Sequence, residues 1–158
     1  MPTPDFIIEL RNHVGSMPLW LSGATGVVLR EQADASEVLL VRRSDNGAWT
    51  PVAGIVDPGE HPHHTAIREI AEETGVVAEI DRLVWLTVTE VITYENGDQS
   101  QYIDHVFRCR WTSGEPYPAD GEASAAAFFP LDQLPRMSAR HRRQVEVAVA
   151  NAPETLLG

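Results

Sequence analysis

The sequence predicts an α+β fold in which strands and helices stack as a sandwich. Three observations predict it. Short apolar runs are bounded by turn residues, one strong helical repeat occupies the middle of the chain, and a second helical pattern falls at 138–150. With 158 residues, 43% of them apolar, the chain is long enough for one domain with its own core.

Taken in order, residues 5–14 (DFIIELRNHV) predict a short helix with Phe6, Ile7, Leu10 and Val14 near one face. Met17-Pro18 breaks it. Trp20 to Arg30, rich in Val and small residues, reads as a strand, and the polar residues Glu31 to Ser36 read as a turn. Val38 to Val41 suits a buried strand. Ser44-Asp45-Asn46-Gly47 is a turn signal before a strand from Trp49 to Val56, and Asp57-Pro58-Gly59 is another turn. Helical spacing runs from near His63 to Gly75, a residue suited to ending a helix. Val76 to Tyr94 reads mainly as strand, bent near Asp81-Arg82. Asn96-Gly97 marks a hairpin whose return strand is Gln101 to Trp111. A polar loop at 113–124 leads to a last strand, Ala125 to Phe129, and to the closing helix.

Composition excludes several functions. Charges sum to 12 − 23 = −11, with no basic patch, so nucleic-acid polymers and anionic membranes are poor partners. No apolar run is long enough to span a bilayer. The first residues, MPTPDFIIELRNHVG, lack the pattern of a secretory signal, and the lone Cys109 cannot form an internal disulfide. Together these predict a cytoplasmic protein.

The chemistry is concentrated at 54–76, GIVDPGEHPHHTAIREIAEETGV. At about 100° per residue, Glu73 falls about 40° from Glu69 and Glu72 about 60° to the other side. Three carboxylates therefore share a face, with Ile67, Ile70, Ala71 and Thr74 opposite. Arg68 can pair with Glu72 at i,i+4. Like charges on adjacent turns repel, and either solvation or a bound hard cation would relieve them.

The wider spacing identifies more. Gly54, Glu60, Arg68, Glu69, Glu72, Glu73 and Gly75, with Ile70 and Val76 at the apolar positions, resemble the signature of the Nudix hydrolases. That resemblance implies an α/β/α sandwich around a central mixed sheet, spanning 1–158 as a single domain with an N-terminal extension at 1–19. It also implies hydrolysis of a pyrophosphate bond in a small nucleotide, a nucleoside diphosphate linked to another moiety, with Mg²⁺ or Mn²⁺. Hydrolysis of a nucleoside triphosphate, including oxidised bases, is the alternative within that class. A non-catalytic nucleotide-sensing module is the alternative outside it.

By the family pattern Glu72 and Glu73 are metal ligands, Glu69 is a ligand or general base, and the Gly54 carbonyl joins them. Arg68 orients the glutamate face, Glu60 braces the loop before the helix, and Gly75 closes it. Many relatives place the water-activating base in a later loop, where Glu115, Asp120 and Glu122 are available, Glu122 foremost because it precedes the last strand. The sequence departs from the family at two places. Trp49-Thr50-Pro51-Val52-Ala53-Gly54 stands where relatives often have Leu-Pro-Gly-Gly, and Ala125 where they often have a glutamate.

Alternation sends only one of Arg42 and Arg43 inward, where it could meet a phosphate. His61, His63 and His64 lack the spacing of a helical zinc pair and read as exposed loop residues. Trp49 reads as core or cleft wall. Trp85, Tyr94, Tyr102 and Tyr117 suit core positions or base stacking, with Tyr94 near the position that resembles a dinucleoside polyphosphate marker. The first twenty residues and the exposed strands offer a surface for a homodimer.

Overall fold

The computed structural model describes residues 3–33 and 35–158. The first two residues of the 1–19 extension, and Asp34 in the turn expected at 31–36, lie outside the described residues. The elements run α1 (Asp5–Val14), β1 (Leu19–Glu31), β2 (Ser36–Arg43), β3 (Trp49–Thr50), β4 (Val52–Ile55), α2 (Pro62–Thr74), β5 (Val77–Val88), β6 (Ile92–Thr93), β7 (Gln99–Ser113), β8 (Ala123–Pro130), α3 (Ala139–Ala150) and β9 (Leu156–Leu157).

The strands form one mixed sheet ordered β3-β2-β1-β7-β5-β9, with β4 on β1, β6 on β7 and β8 on β2. Its backbone is the parallel pairing of β1 with β7, from Leu19 opposite Ser100 to Leu29 opposite Arg110. Alternation along β1 divides the core. Ala24 and Val28 join Leu39, Val41, Phe107 and Cys109 beneath Ala66 and Ile70 of α2. Val27 and Leu29 join Val38, Leu40 and Val106 beneath Val145 and Ala148 of α3. Helices thus cover both faces, the α/β/α sandwich that the motif implied.

Most boundaries fall within two residues of expectation, and the differences have local causes. The strand expected from Trp49 to Val56 is split into β3 and β4 at Pro51, which has no N–H for the ladder. Pro62, not His63, opens α2, as suits a residue with no N–H at the first helical position. Gly75 ends it with φ +70°, its N–H donating to the Ala71 carbonyl. The bend expected near Asp81 is a register shift between Ile80 and Arg82. β9 was not foreseen; two residues pairing with β5 are too short to show a pattern. In α1 only Ile7 of the four expected apolar positions is buried, while Leu10 and Val14 are exposed. The helix is tethered instead by Arg11, which donates to the carbonyls of Met17 (2.6 Å) and Gln99 (2.6 Å). No helix among the described residues is long and apolar enough to cross a membrane.

Candidate active site

A cleft of about 930 Å³ opens where the first halves of β1 and β7, the end of β2, the last turn of α2 and the first turns of α3 converge, with α1 as one wall. Gly54, Glu73, Arg43, Tyr94 and Glu122 line it.

The α2 carboxylates do not form a uniform solvated face. Glu69 is fully buried, because α2 packs on β4 at Gly54. A Cβ on Gly54 would stand 2.4 Å from the Glu69 carboxyl carbon, so only glycine leaves room for that side chain. Ala71, expected on the packing side, is exposed. Arg68 is the hub of the cluster. Its Nε and Nη2 each donate to Glu60 at 2.9 Å, and its Nη1 donates to Glu69 Oε1 at 2.8 Å and to Glu72 Oε2 at 3.1 Å. Thr65 Oγ1 also donates to Glu60, at 2.7 Å. This fork holds the Glu60 carboxyl well below the usual range, at about 2. Glu60 thereby ties the 57–61 loop to α2.

Glu69 and Glu73 are destabilised as anions. Burial raises Glu69 to about 7 despite Arg68, and burial together with the Glu69 charge raises Glu73 to about 8. Glu69 Oε2 is buried and accepts no hydrogen bond. Among the described residues no three acidic, histidine or cysteine side chains converge closely enough to hold an ion as they stand. The donor set nevertheless fits a hard divalent cation: an unpartnered buried oxygen on Glu69, Glu73 at the cleft, and a glycine backbone that ligands can approach. Glu72 does not line the cleft; its side chain is half exposed and held by Arg68.

Arg43 lines the cleft within electrostatic reach of Glu73 and Tyr94, its guanidinium forked onto Asp45 at 3.0 and 2.6 Å. Arg42 points the other way, donating to the Gly47 carbonyl and lining a separate groove with Trp49 and Pro135. Alternation along β2 thus sends Arg43, and not Arg42, into the cleft. Tyr94 and Tyr102, both lining the cleft, share a hydroxyl hydrogen bond of 2.7 Å. Trp85 is core, Trp49 is half-buried against that core and edge-on to Phe129, and Tyr117 covers Gly75.

The three loop candidates for a base separate clearly. Glu122 lines the cleft, its carbonyl accepting from Ser44 Oγ. The Asp120 carboxylate accepts from the Glu122 N–H and raises the Glu73 pKa by its charge. Glu115 instead pairs with Arg30 at 3.0 Å, outside the cleft lining. β8 begins at Ala123, so Ala125 lies inside the strand and opposite Arg42. His61, His63 and His64 are exposed as expected, but His63 and His64 belong to the first turn of α2 rather than to a loop, with ring centroids 4.2 Å apart.

Sequence reasoning missed the contribution of α3 to the cleft. Arg140, His141 and Gln144 all line it, beside Thr25 and Asp104. Burial, with Arg140 and Arg43 nearby, pushes His141 down to about 4, which leaves it neutral at pH 7. The available signal was Gln144, a polar residue at helical spacing among residues destined for the core.

Comparison with known proteins agrees with this fold. The NUDIX domain family profile matches residues 20–148. A MutT-like protein of Streptomyces ambofaciens is 32% identical over 119 residues, covering 75% of this chain and 70% of that one. A MutT NUDIX hydrolase from Burkholderia pseudomallei superposes with a TM-score of 0.61 at 26% identity, covering 81% of this chain and 97% of that one. The crystal structure of a UDP-X diphosphatase shares the fold, with a TM-score of 0.66 at 22% identity over 98% of this chain and 74% of that one.

Proposed function

The chain belongs to the Nudix family of pyrophosphohydrolases, and within it we propose a Mg²⁺-dependent enzyme that cuts a nucleoside diphosphate linked to a second moiety. The observation that carries this reading is the buried, unpartnered Glu69 Oε2 behind Gly54, next to a Glu73 carboxylate facing the cleft. A buried carboxylate oxygen without a partner costs about 1–3 kcal/mol or more, and such a cost is retained where a ligand supplies the missing contact.

In this reading Glu69, Glu73 and the Gly54 carbonyl would hold the divalent ion, and Glu72 would join them by turning from Arg68, which holds it outside the cleft lining. When bound, that ion neutralises phosphate charge and acidifies a water. Arg68 orients the glutamates, Glu60 and Gly75 fix the two ends of the motif, and Glu122 takes the proton of the attacking water. Arg43 binds a phosphate oxygen across from Glu73, and Tyr94 contacts the second moiety. The whole chain, 1–158, acts as one domain, with Thr3, Pro4, Ile7 and Arg11 of its N-terminal extension lining the cleft.

The test is phosphate release from a nucleotide panel with Mg²⁺, coupled to a phosphatase, for wild type and Glu73→Gln. Activity on nucleotide sugars or dinucleotides, reduced about 10²-fold or more in the variant, is the expected result. Activity confined to nucleoside triphosphates would move the substrate to the alternative class. No activity on any member, with thermal stabilisation by a nucleotide, would replace the enzyme with a sensing module.

A further inference from the structure

Outside the glutamate chemistry two places carry polar groups without partners. One is sealed: Gln144 Oε1, in the cluster with Asp104 and Thr25, lacks a donor and is buried. The other is open to solvent. It is the groove of about 670 Å³ lined by Arg42, Trp49, Arg136 and Ser138, apart from the cleft that Arg43 enters. Among the described residues no carboxylate lines it.

That absence is informative in a chain with 23 acidic residues, 12 arginines and no lysine. Eight of the 12 arginines stand beside a carboxylate, and the other four are Arg42, Arg82, Arg136 and Arg142. Arg82 is spent on the carbonyls of Ala152 and Pro153. Arg142 lies outside the groove. Arg42 gives only its Nε, to the Gly47 carbonyl at 3.3 Å, and Arg136 has no side-chain partner among the described residues. Two guanidinium groups thus share a groove with no anion between them, and their repulsion is relieved by a bound one. They lie far apart in sequence, which is why no basic patch shows along the chain.

The start of α3 adds a third donor. Arg140 Nη2, which can only donate, lies 3.2 Å from His141 Nε2, so that nitrogen accepts. Burial keeps the ring neutral, which places its one proton on Nδ1, 2.9 Å from Ser138 Oγ. Ser138 Oγ therefore accepts twice, from Nδ1–H and from the His141 backbone N–H at 3.2 Å. Its own proton has no acceptor among the described residues and is available to a ligand.

We propose that Arg42, Arg136 and Ser138 bind a phosphate dianion in this groove, apart from the glutamate-lined cleft. Two planar forks and a hydroxyl, all donors, match a group with several acceptor oxygens and more than one negative charge. Inorganic phosphate and a mononucleotide share that chemistry. The test follows the indole N–H signals of the four tryptophans in ¹⁵N-labelled, metal-free protein, with Trp49→Phe assigning the one in the groove. Sodium phosphate and, separately, AMP are titrated at an ionic strength held constant with sodium chloride. The Trp49 signal should shift and saturate. Arg42→Gln and Arg136→Gln, both at exposed side chains, should each raise the half-saturating concentration about tenfold. Arg43→Gln, which alters the cleft, should leave it within about twofold. Tighter binding of AMP than of phosphate supports the site with a nucleotide as its ligand, and equal binding supports it with phosphate alone. No saturable shift, a shift that Arg43→Gln abolishes, or one that survives both groove substitutions overturns the proposal. No turnover is needed, so the groove stands or falls separately from the hydrolytic reading.

Discussion

Two polar clusters, one reaching the cleft through Glu73 and one lining it directly, are built on opposite electrostatic plans. Around α2, one guanidinium hydrogen-bonds three carboxylates and stands 3.7 Å from a fourth, Asp57, leaving Glu69 and Glu73 as reluctant anions. Around α3, one carboxylate is served by a hydroxyl, an amide and, at longer range, a guanidinium. The first cluster has excess negative charge and calls for a cation. The second is close to satisfied and lacks only a donor. Burial alone thus does not tell what a site binds; the sign of what is missing does.

The sharpest way to break that contrast is Glu69→Gln. The substitution removes the charge whose burial is unfavourable, while Arg68 keeps Glu60 and Glu72. Hydrolysis should fall by about 10²–10⁴-fold, yet the metal-free protein should melt no lower than wild type. Steady-state kinetics and thermal melting in chelator check the two halves. A large drop in melting temperature would mean that Glu69 acts as a structural partner of Arg68 and not as a poised ligand.

The α2 cluster was legible because its chemistry is local: Arg68, Glu69, Glu72 and Glu73 lie within two turns of one helix, and Gly54 and Glu60 precede it at fixed spacing. The layers of the fold were legible for the same reason, each strand and helix carrying its own pattern. The α3 cluster unites Thr25, Asp104 and Gln144 from three distant elements, joined by the parallel pairing of β1 with β7. No single-chain pattern announces a parallel register. The wheel also misplaced Glu69, because what buries it is the missing Cβ of Gly54 on a neighbouring strand.

Arg68→Met tests the hub itself. The variant leaves Glu60 and Glu69 without their cation and should cost about 3 kcal/mol of stability by denaturant unfolding. Added Mg²⁺ should restore part of it if Glu69 becomes free to bind the ion. A loss below about 0.5 kcal/mol would reduce the network to a surface ion pair.

A smaller effect follows from pH. Glu69 and Glu73 keep their protons to about 7 and 8, against 4.5 for an ordinary glutamate, so between those values the native state binds protons that the unfolded state has released. Stability of the metal-free protein is therefore highest on this account below 4.5 and falls as pH rises through 7 and 8. Glu60 runs the other way, at about 2: its contribution is present above 4.5 and lost as pH falls towards 2. Melting in chelator should fall by several degrees from mildly acidic to mildly alkaline pH, and Mg²⁺ should flatten that slope. A flat profile without metal would mean that both glutamates ionise freely.

The smallest effect expected separates the loop that touches the cleft from the part that does not. Glu115 is largely exposed on Arg30, whose guanidinium is already stacked 3.8 Å from the Phe128 ring and paired with Glu37 at 3.4 Å. An exposed partner of that kind contributes about 0–1 kcal/mol, less in salt. Glu115→Gln should therefore change kcat/KM by less than about twofold and melting by about a degree. Glu122→Gln, only seven positions on, should lower kcat by about 10²-fold if its carboxylate takes the proton. Equal effects of the two substitutions would show that the loop acts as a unit on the cleft, and the proton acceptor would then have to be sought on α2.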